Sequence, residues 1–249
     1  MKNLVYILIT IFFAQAALAQ GAFEKANELY RKQKYAEAAQ EYENILKGKK
    51  ESAEVYFNLG NSYYKLGKIA PSILNFERAL QLDPNNKDAQ VNIGYARKMT
   101  IDNIKEVPKA GFSKMLYNLT GSYHYNTWAW IAVGFAFGFL LLFVGYYFAG
   151  ATVLKRIFFV SMFVTLLVIV ISIVSAIFVK SVENSERPAI VFEEVLSVKA
   201  EPSVNAEDAF LLHEGTKVQV LENVDNWRKI QLADESVGWV PKNTIREVK

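Results

Sequence analysis

Cysteine is absent from the 249-residue chain. That gap removes disulfide frameworks, thiolate nucleophiles, iron–sulfur clusters and cysteine-ligated zinc together, while leaving the redox compartment open. Histidine is nearly absent: His124 and His213 stand far apart, neither with metal-ligand spacing. There is no phosphate-cradling glycine loop ending in Lys-Ser or Lys-Thr and no Gly-x-Ser-x-Gly turn. No pattern motivates a substrate, a cofactor or a bound metal, so the chain reads as non-catalytic. Basic clusters are lacking as well. Residues 20–113 hold 15 Lys and Arg against 12 Asp and Glu, and residues 180–249 hold 9 against 13. A nucleic-acid partner would need cations gathered on one face.

Long apolar runs are what the chain does have. The first, "MKNLVYILITIFFAQAALAQ", has one lysine, an apolar stretch and then small residues. It reads as a signal peptide over 1–19, with Ala17-Leu18-Ala19 before the cut and Gln20 after it; an uncleaved anchor is the alternative. Two further runs, within 128–150 and 157–179, are long enough to cross ~30 Å of hydrocarbon as helices. Trp128, Trp130, Tyr146 and Tyr147 mark both interfaces of the first span. The turn between the spans, 151–156, carries Lys155 and Arg156, which places it in the cytoplasm. An exported N-terminus followed by two crossings gives the same topology, with 20–127 and 180–249 outside the cytoplasmic (inner) membrane. Gly134 and Gly138 on one span, and Ser161, Thr165, Ser172 and Ser175 on the other, permit close packing with each other or with a partner's helices. No ionisable group lies inside a span, so these helices read as an anchor in lipid.

The region before the spans repeats itself: "YRKQKYAEAAQEYENIL" from Tyr30 aligns with "YKLGKIAPSILNFERAL" from Tyr64. That offset, with helix–turn–helix patterning, is the tetratricopeptide period of about 34 residues. The second copy resembles that family at Tyr56, Leu59, Gly60, Tyr63, Ser72, Phe76, Ala79 and Pro84. The first copy is weaker, and "NNKDAQVNIGYARKM" after Pro84 reads as a third half-repeat or closing helix. Repeats are expected over 20–110, followed by a juxtamembrane segment at 111–127. Two and a half repeats lie near the lower limit for stability, so this region is expected to lean on the membrane-proximal segment or on a partner.

The stretch "VYFNLGNSYYKLGK" carries two apolar stripes on one helix. Tyr56, Leu59, Gly60 and Tyr63 make one, at i, i+3, i+4 and i+7, and read as the contact between paired helices. Phe57, Asn61, Tyr64 and Lys65 make the other, and they correspond across the repeat to Phe23, Asn27, Tyr30 and Arg31. These positions match the groove-lining residues of tetratricopeptide proteins. Aromatic faces and amides of this kind suit an extended peptide; packing between neighbouring first helices is the competing reading. Asn58 and Asn92 fall where some family members clamp a carboxylate, but Phe23 and Asp88 replace the lysines of such a clamp.

After a linker at 180–188, the pattern over 189–249 changes to short alternating runs bounded by turn residues, as in a small antiparallel barrel. The order "HEGTKV", "NW", "GWV" resembles bacterial SH3-like domains. Trp227 and Trp239 are candidates to frame a ligand groove there, with half-buried barrel packing as the alternative. The fold class expected is thus a multidomain membrane protein: an α-helical solenoid, a two-helix hairpin and an all-β SH3-like barrel.

The whole arrangement, with "LDPNNKDAQVNIGYARKMTIDNI", "TWAWIAVGF" and "FLLHEGTKVQVLENVDNWRKIQLAD", resembles the BatE-type bacterial aerotolerance family. The resemblance implies work beside membrane-anchored von Willebrand A-domain proteins and a MoxR-type ATPase, in oxygen or stress tolerance. The expectation is a membrane-anchored scaffold with two interaction modules on the periplasmic side. The alternative is a cell-envelope sensor whose SH3-like domain binds peptidoglycan.

Overall fold

The computed structural model describes residues 21–48, 51–105, 116 and 119–248. The signal-peptide reading, and most of the juxtamembrane segment before Leu119, lie outside the described residues. The described residues form two compact units, one made of the stretches up to 107 and from 187 onward, the other of the stretch between.

The first unit opens with antiparallel helices: α1 (residues 21–31), α2 (Tyr35–Lys47), α3 (Ala53–Lys65), α4 (Ile69–Leu82) and α5 (Lys87–Arg97). The boundaries follow local chemistry. Gly67 turns α3 into α4 with a left-handed φ of 70°, and Gln33, one period earlier, takes the same conformation at 60°. Pro71 sits in the first turn of α4, where its missing N–H is harmless. Asn86 caps α5, its side chain accepting from Ala89 N at 2.9 Å. Small residues bring the paired helices together. Ser72 Oγ donates to Gly60 O, and a Cβ on Gly60 would lie 2.8 Å from the Phe76 ring. Tyr42 and Phe76, one period apart, are both fully buried.

The C-terminal strands of the same unit are β1 (Pro188–Val191), β2 (Val195–Lys199), β3 (Asp208–His213), β4 (Lys217–Val224), β5 (Trp227–Gln231), β6 (Val237–Pro241) and β7 (Ile245–Glu247). They form one antiparallel sheet in the order β3-β2-β6-β5-β4-β1-β7. Alternation along each strand buries Leu196, Val198, Leu212, Val218, Val220, Ile230 and Val240 in a common core. The turn "ADES" puts Glu235 at φ 71°, the conformation that glycine would take in an Asp-Gly hairpin.

This barrel packs on the helices. Ala189 and Val191 point into the barrel, whereas Ile190, on the opposite side of β1, is just as buried because α4 covers it. Ile190 and Val248 join Ala70, Ile73, Leu74, Phe76, Ile93 and Ala96 in one apolar cluster. Polar contacts surround it. Glu77, 8% exposed, is bracketed by Arg97 at 2.6 Å and Lys217 at 2.8 Å. Asp102 accepts from the His213 backbone N–H at 2.7 Å and from Thr216 Oγ1 at 2.5 Å, with His213 Nδ1 at 2.7 Å from its other oxygen. Arg78 donates to the Val248 and Glu247 carbonyls, and Glu214 accepts from Ala70 N at the start of α4. The array therefore leans on the barrel. Eight of the 14 residues of α4 are buried, as befits a helix covered on several sides.

The second unit is a helical hairpin, α6 (Tyr125–Phe148) and α7 (Thr152–Ser185), each long and apolar enough to cross a membrane. The turn between them spans only 149–151, and α7 runs through Lys155, Arg156 and Glu183, beyond both ends of its apolar run. Thr165, Ser172 and Ser175 are buried against α6, and a Cβ on Gly145 would meet Phe158 at 2.9 Å. Gly134 and Gly138 are different. Among the described residues no atom outside the helix's own backbone lies within 4 Å of where their Cβ would be, so the hairpin packs through α7's small residues and Gly145.

Candidate peptide groove and barrel face

The second stripe, Phe57, Asn61, Tyr64 and Lys65 with their counterparts one repeat earlier, divides in the structure. Phe23 lies against Tyr42 and Phe57 against Phe76, with ring centroids 6.1 and 6.0 Å apart. In both repeats this aromatic thus packs onto the second helix of its own pair. Tyr30 makes an edge contact to Tyr35 at 5.2 Å, and Tyr64 rests half-buried on the α4–α5 cluster. Arg31 and Lys65 are exposed, and Arg31 pairs with Glu24 at 2.7 Å.

The asparagines do something the sequence showed only in part. Asn58 Nδ2 donates to Asn27 Oδ1 at 3.1 Å, and Asn92 Nδ2 donates to Asn61 Oδ1 at 2.7 Å. The first link ties α1 to α3 and the second ties α3 to α5. Tyr42 OH also donates to Asn27 Oδ1 at 2.6 Å. Burial pushes the Tyr42 hydroxyl up to about 12, so it keeps its proton and fixes the orientation of that amide. Phe76 replaces Tyr42 in the next repeat, and Asn61 Oδ1 is held by Asn92. These bonds use one end of each amide. Among the described residues Asn27 Nδ2, Asn58 Oδ1, Asn61 Nδ2 and Asn92 Oδ1 take no part in these bonds, so donors and acceptors alternate along three helices. An extended main chain presents a matching alternation of C=O and N–H. Tyr42's part was not legible from the repeat period, because the contact crosses from the second helix of the pair to the first.

On the barrel, Trp227 and Trp239 share the outward face of the β5–β6 pair, where Trp227 lies opposite Pro241 and Trp239 opposite Lys229. Lys229 Nζ sits 5.8 Å from the Trp239 ring centroid. Trp227 opens onto a groove of about 560 Å³, shared with Val204, Asn226, Pro241, Lys242 and Asn243. An aromatic plane beside two amides and an ammonium suits a flat, polar-edged ligand. Trp239 is not part of that groove. Among the described residues no cluster of three His, Asp or Glu side chains has metal-binding geometry.

Comparison with known proteins finds the two kinds of module that carry these residues. Residues 53–86 match the tetratricopeptide repeat model and residues 26–67 a second TPR model. Residues 194–246 match the bacterial SH3 domain. Relatives include Hsp70-Hsp90 organizing protein 1 of Glycine max, 39% identical over 67 residues, which is 27% of this chain and 12% of that protein. Another is the Hsp70-Hsp90 organizing protein of Triticum aestivum, 34% identical over 94 residues, 37% of this chain and 15% of that protein. Sperm-associated antigen 1 of Rattus norvegicus is 30% identical over 87 residues, 35% of this chain and 10% of that protein. The chain thus spans a small fraction of each relative's length. Helical repeats and SH3-like barrels are interaction modules, and no catalytic family is among the matches.

Proposed function

We propose that this protein is a membrane-anchored scaffold that holds an extended peptide of a partner membrane protein in its repeat groove. Both interaction modules would stand on the same, periplasmic side of the bacterial inner membrane. One observation carries the reading: stretches on either side of the hairpin, up to 105 and from 187, pack into a single body through Glu77–Lys217 and Asp102–His213. Two stretches can meet in this way only on one side of a bilayer, which an even number of crossings provides. Lys155 and Arg156 beside the short turn favour its cytoplasmic placement.

The groove would read the peptide main chain through Asn27, Asn58, Asn61 and Asn92, with Tyr30 and Tyr64 as apolar walls and Arg31 and Lys65 as exposed cations for acidic flanks. A carboxylate clamp like that of some tetratricopeptide proteins lacks its lysines here, so capture of an internal segment fits better than capture of a C-terminus. The resemblance to BatE-type proteins points to von Willebrand A-domain membrane proteins as partners, and indirectly to a MoxR-type ATPase, in aerotolerance or stress response. Crosslinking and affinity purification from membranes, wild type against Asn27→Ala/Asn61→Ala, tests the groove. Loss of partners from a folded double variant supports it, and unchanged partners sink it.

A second reading rests on the Trp227 groove, whose aromatic face and flanking amides would suit peptidoglycan and make the protein an envelope sensor. Retention of the full chain on insoluble peptidoglycan, abolished by Trp227→Ala, would favour that reading.

A further inference from the structure

Among the described residues that directly follow it, the third groove helix, α5, is given no second helix of its own. Such a helix would begin near Asn103, one repeat period after Ile69, yet residues 101–105 are not helical. Pro108 stands one period after Leu74 and would fall inside that helix, where it lacks an N–H and its ring clashes with the preceding turn. The sequence of α5 is that of an end piece. Gln90 and Arg97 replace Tyr56 and Tyr63 one period on, and among the described residues no atom outside the helix's own backbone lies within 4 Å of where a Gly94 Cβ would be. A helix of 11 residues is marginal alone and depends on what packs against it.

What holds α5 is α4, a smaller contact with α3 through Asn61 and, by way of α4, the barrel. Ala89, Ile93 and Ala96 are its buried residues. Arg97, in its last turn, donates to Glu77, whose other oxygen takes Lys217 of β4. Just beyond α5, Asp102 binds the His213–Thr216 turn and Ile104 packs on the barrel core. Gly215 is the tight point. Its φ is +89°, and a Cβ there would lie 2.8 Å from Thr100 Cγ2 and 2.9 Å from Ile69 Cγ2. At the other end of this chain of contacts, Asn92 of α5 supplies the last rung of the amide ladder.

We propose that the barrel is a clamp on the groove's third helix: docking of residues 213–217 fixes α5 and with it Asn92. A load or ligand on the barrel is thereby felt in the peptide groove. The functional meaning rests on the groove reading above, but the clamp itself is measured without any ligand. Coupling of this kind requires a physical element that both sites bias, and α5 is that element.

The test is amide hydrogen exchange by mass spectrometry on the full chain in lipid nanodiscs, comparing wild type with Lys217→Glu and Gly215→Val. Lys217→Glu sets like charges together at Glu77 without touching the turn backbone, and Gly215→Val wedges the interface. The clamp predicts that residues 213–216 open and that exchange in α5 rises by about tenfold or more, while α1, α2 and β5–β6 keep wild-type protection. Opening of the turn with α5 still protected as in wild type overturns the proposal. So does a turn that stays closed in both variants. If Gly215→Val melts β5–β6, Lys217→Glu alone decides. Partner loss in Asn27→Ala/Asn61→Ala speaks to the groove and α5 exchange speaks to the clamp, so either can fail without the other.

Discussion

Glu77 on α4 and Lys217 on β4 meet at 2.8 Å across 140 residues of chain that include two membrane-length helices. Glu77 alone would be an expensive burial; with Lys217 on one oxygen and Arg97 on the other, both of its acceptors are engaged. The pair joins two halves of the chain that sequence order keeps apart.

Glu77→Gln therefore leaves two cations without their anion. Because Arg97 and Lys217 are about half exposed, solvent softens the loss, and the expected cost is about 1–2 kcal/mol of stability in the first unit. Denaturant unfolding of the purified protein in detergent measures it. A cost near zero would mean that the cluster is held by its apolar part alone.

Acid should weaken the same interface. Burial by itself would raise the Glu77 carboxyl, but the charges of Lys217 and Arg97 overcome it and hold the group below its usual 4.5. Burial likewise opposes ionisation of Asp102, and hydrogen bonds from Thr216 and His213 hold it below its usual 3.8. Both native values are depressed, so their stabilisation is present above those ordinary values and is lost as pH falls through the lower folded ones. Thermal unfolding should be flat in this respect from pH 7 to about 5 and should fall below about 4.5. The fall should be shallower in Glu77→Gln/Asp102→Asn; equal slopes would contradict the assignment.

Two glycines one period apart should respond oppositely to alanine. Gly60→Ala places a Cβ 2.8 Å from the Phe76 ring and should cost about 1–3 kcal/mol. Gly94→Ala meets nothing within 4 Å and should be neutral or stabilising by up to about 1 kcal/mol, since a helix interior prefers alanine. Parallel melting curves read the sign. Destabilisation at both positions would mean that α5 carries a packing partner after all.

Gln33 holds a left-handed φ of 60° where the second repeat has Gly67. Gln33→Gly should relieve about 1 kcal/mol of backbone strain and raise the melting temperature. An unchanged or lower melting point would show that the Gln33 side chain offsets its own strain.

The repeat period, the charge-free runs and the short alternating strands were enough to place helical repeats, a hairpin and a β-domain. The docking between repeats and barrel was harder to see. Glu77 falls in "NFERAL" as an ordinary helix charge, and Asp102 lies in a stretch with no period. One signal was present: "PAIV" at the start of the barrel is apolar without alternation, the mark of a strand covered on both faces. At the groove, the repeat singled out Asn27 and Asn61, and family positions singled out Asn58 and Asn92. That these four bond to each other in pairs needed coordinates, because each bond joins positions offset by less than one full repeat. Phe23 and Phe57 repeat together with these asparagines, but a repeated spacing cannot say that each ring also turns toward the second helix of its own pair.

In the proposed topology the repeats and the barrel share one side of the membrane, opposite the short turn. The native chain has no cysteine, so Glu54→Cys, Glu201→Cys and Val153→Cys, all at exposed positions, each give a single reporter. Spheroplasts carrying each variant are treated with a membrane-impermeant maleimide, before and after permeabilisation. That topology requires that positions 54 and 201 label from outside and that 153 labels only after permeabilisation. Labelling of 54 and 201 from opposite sides, or of 153 from outside, would contradict it.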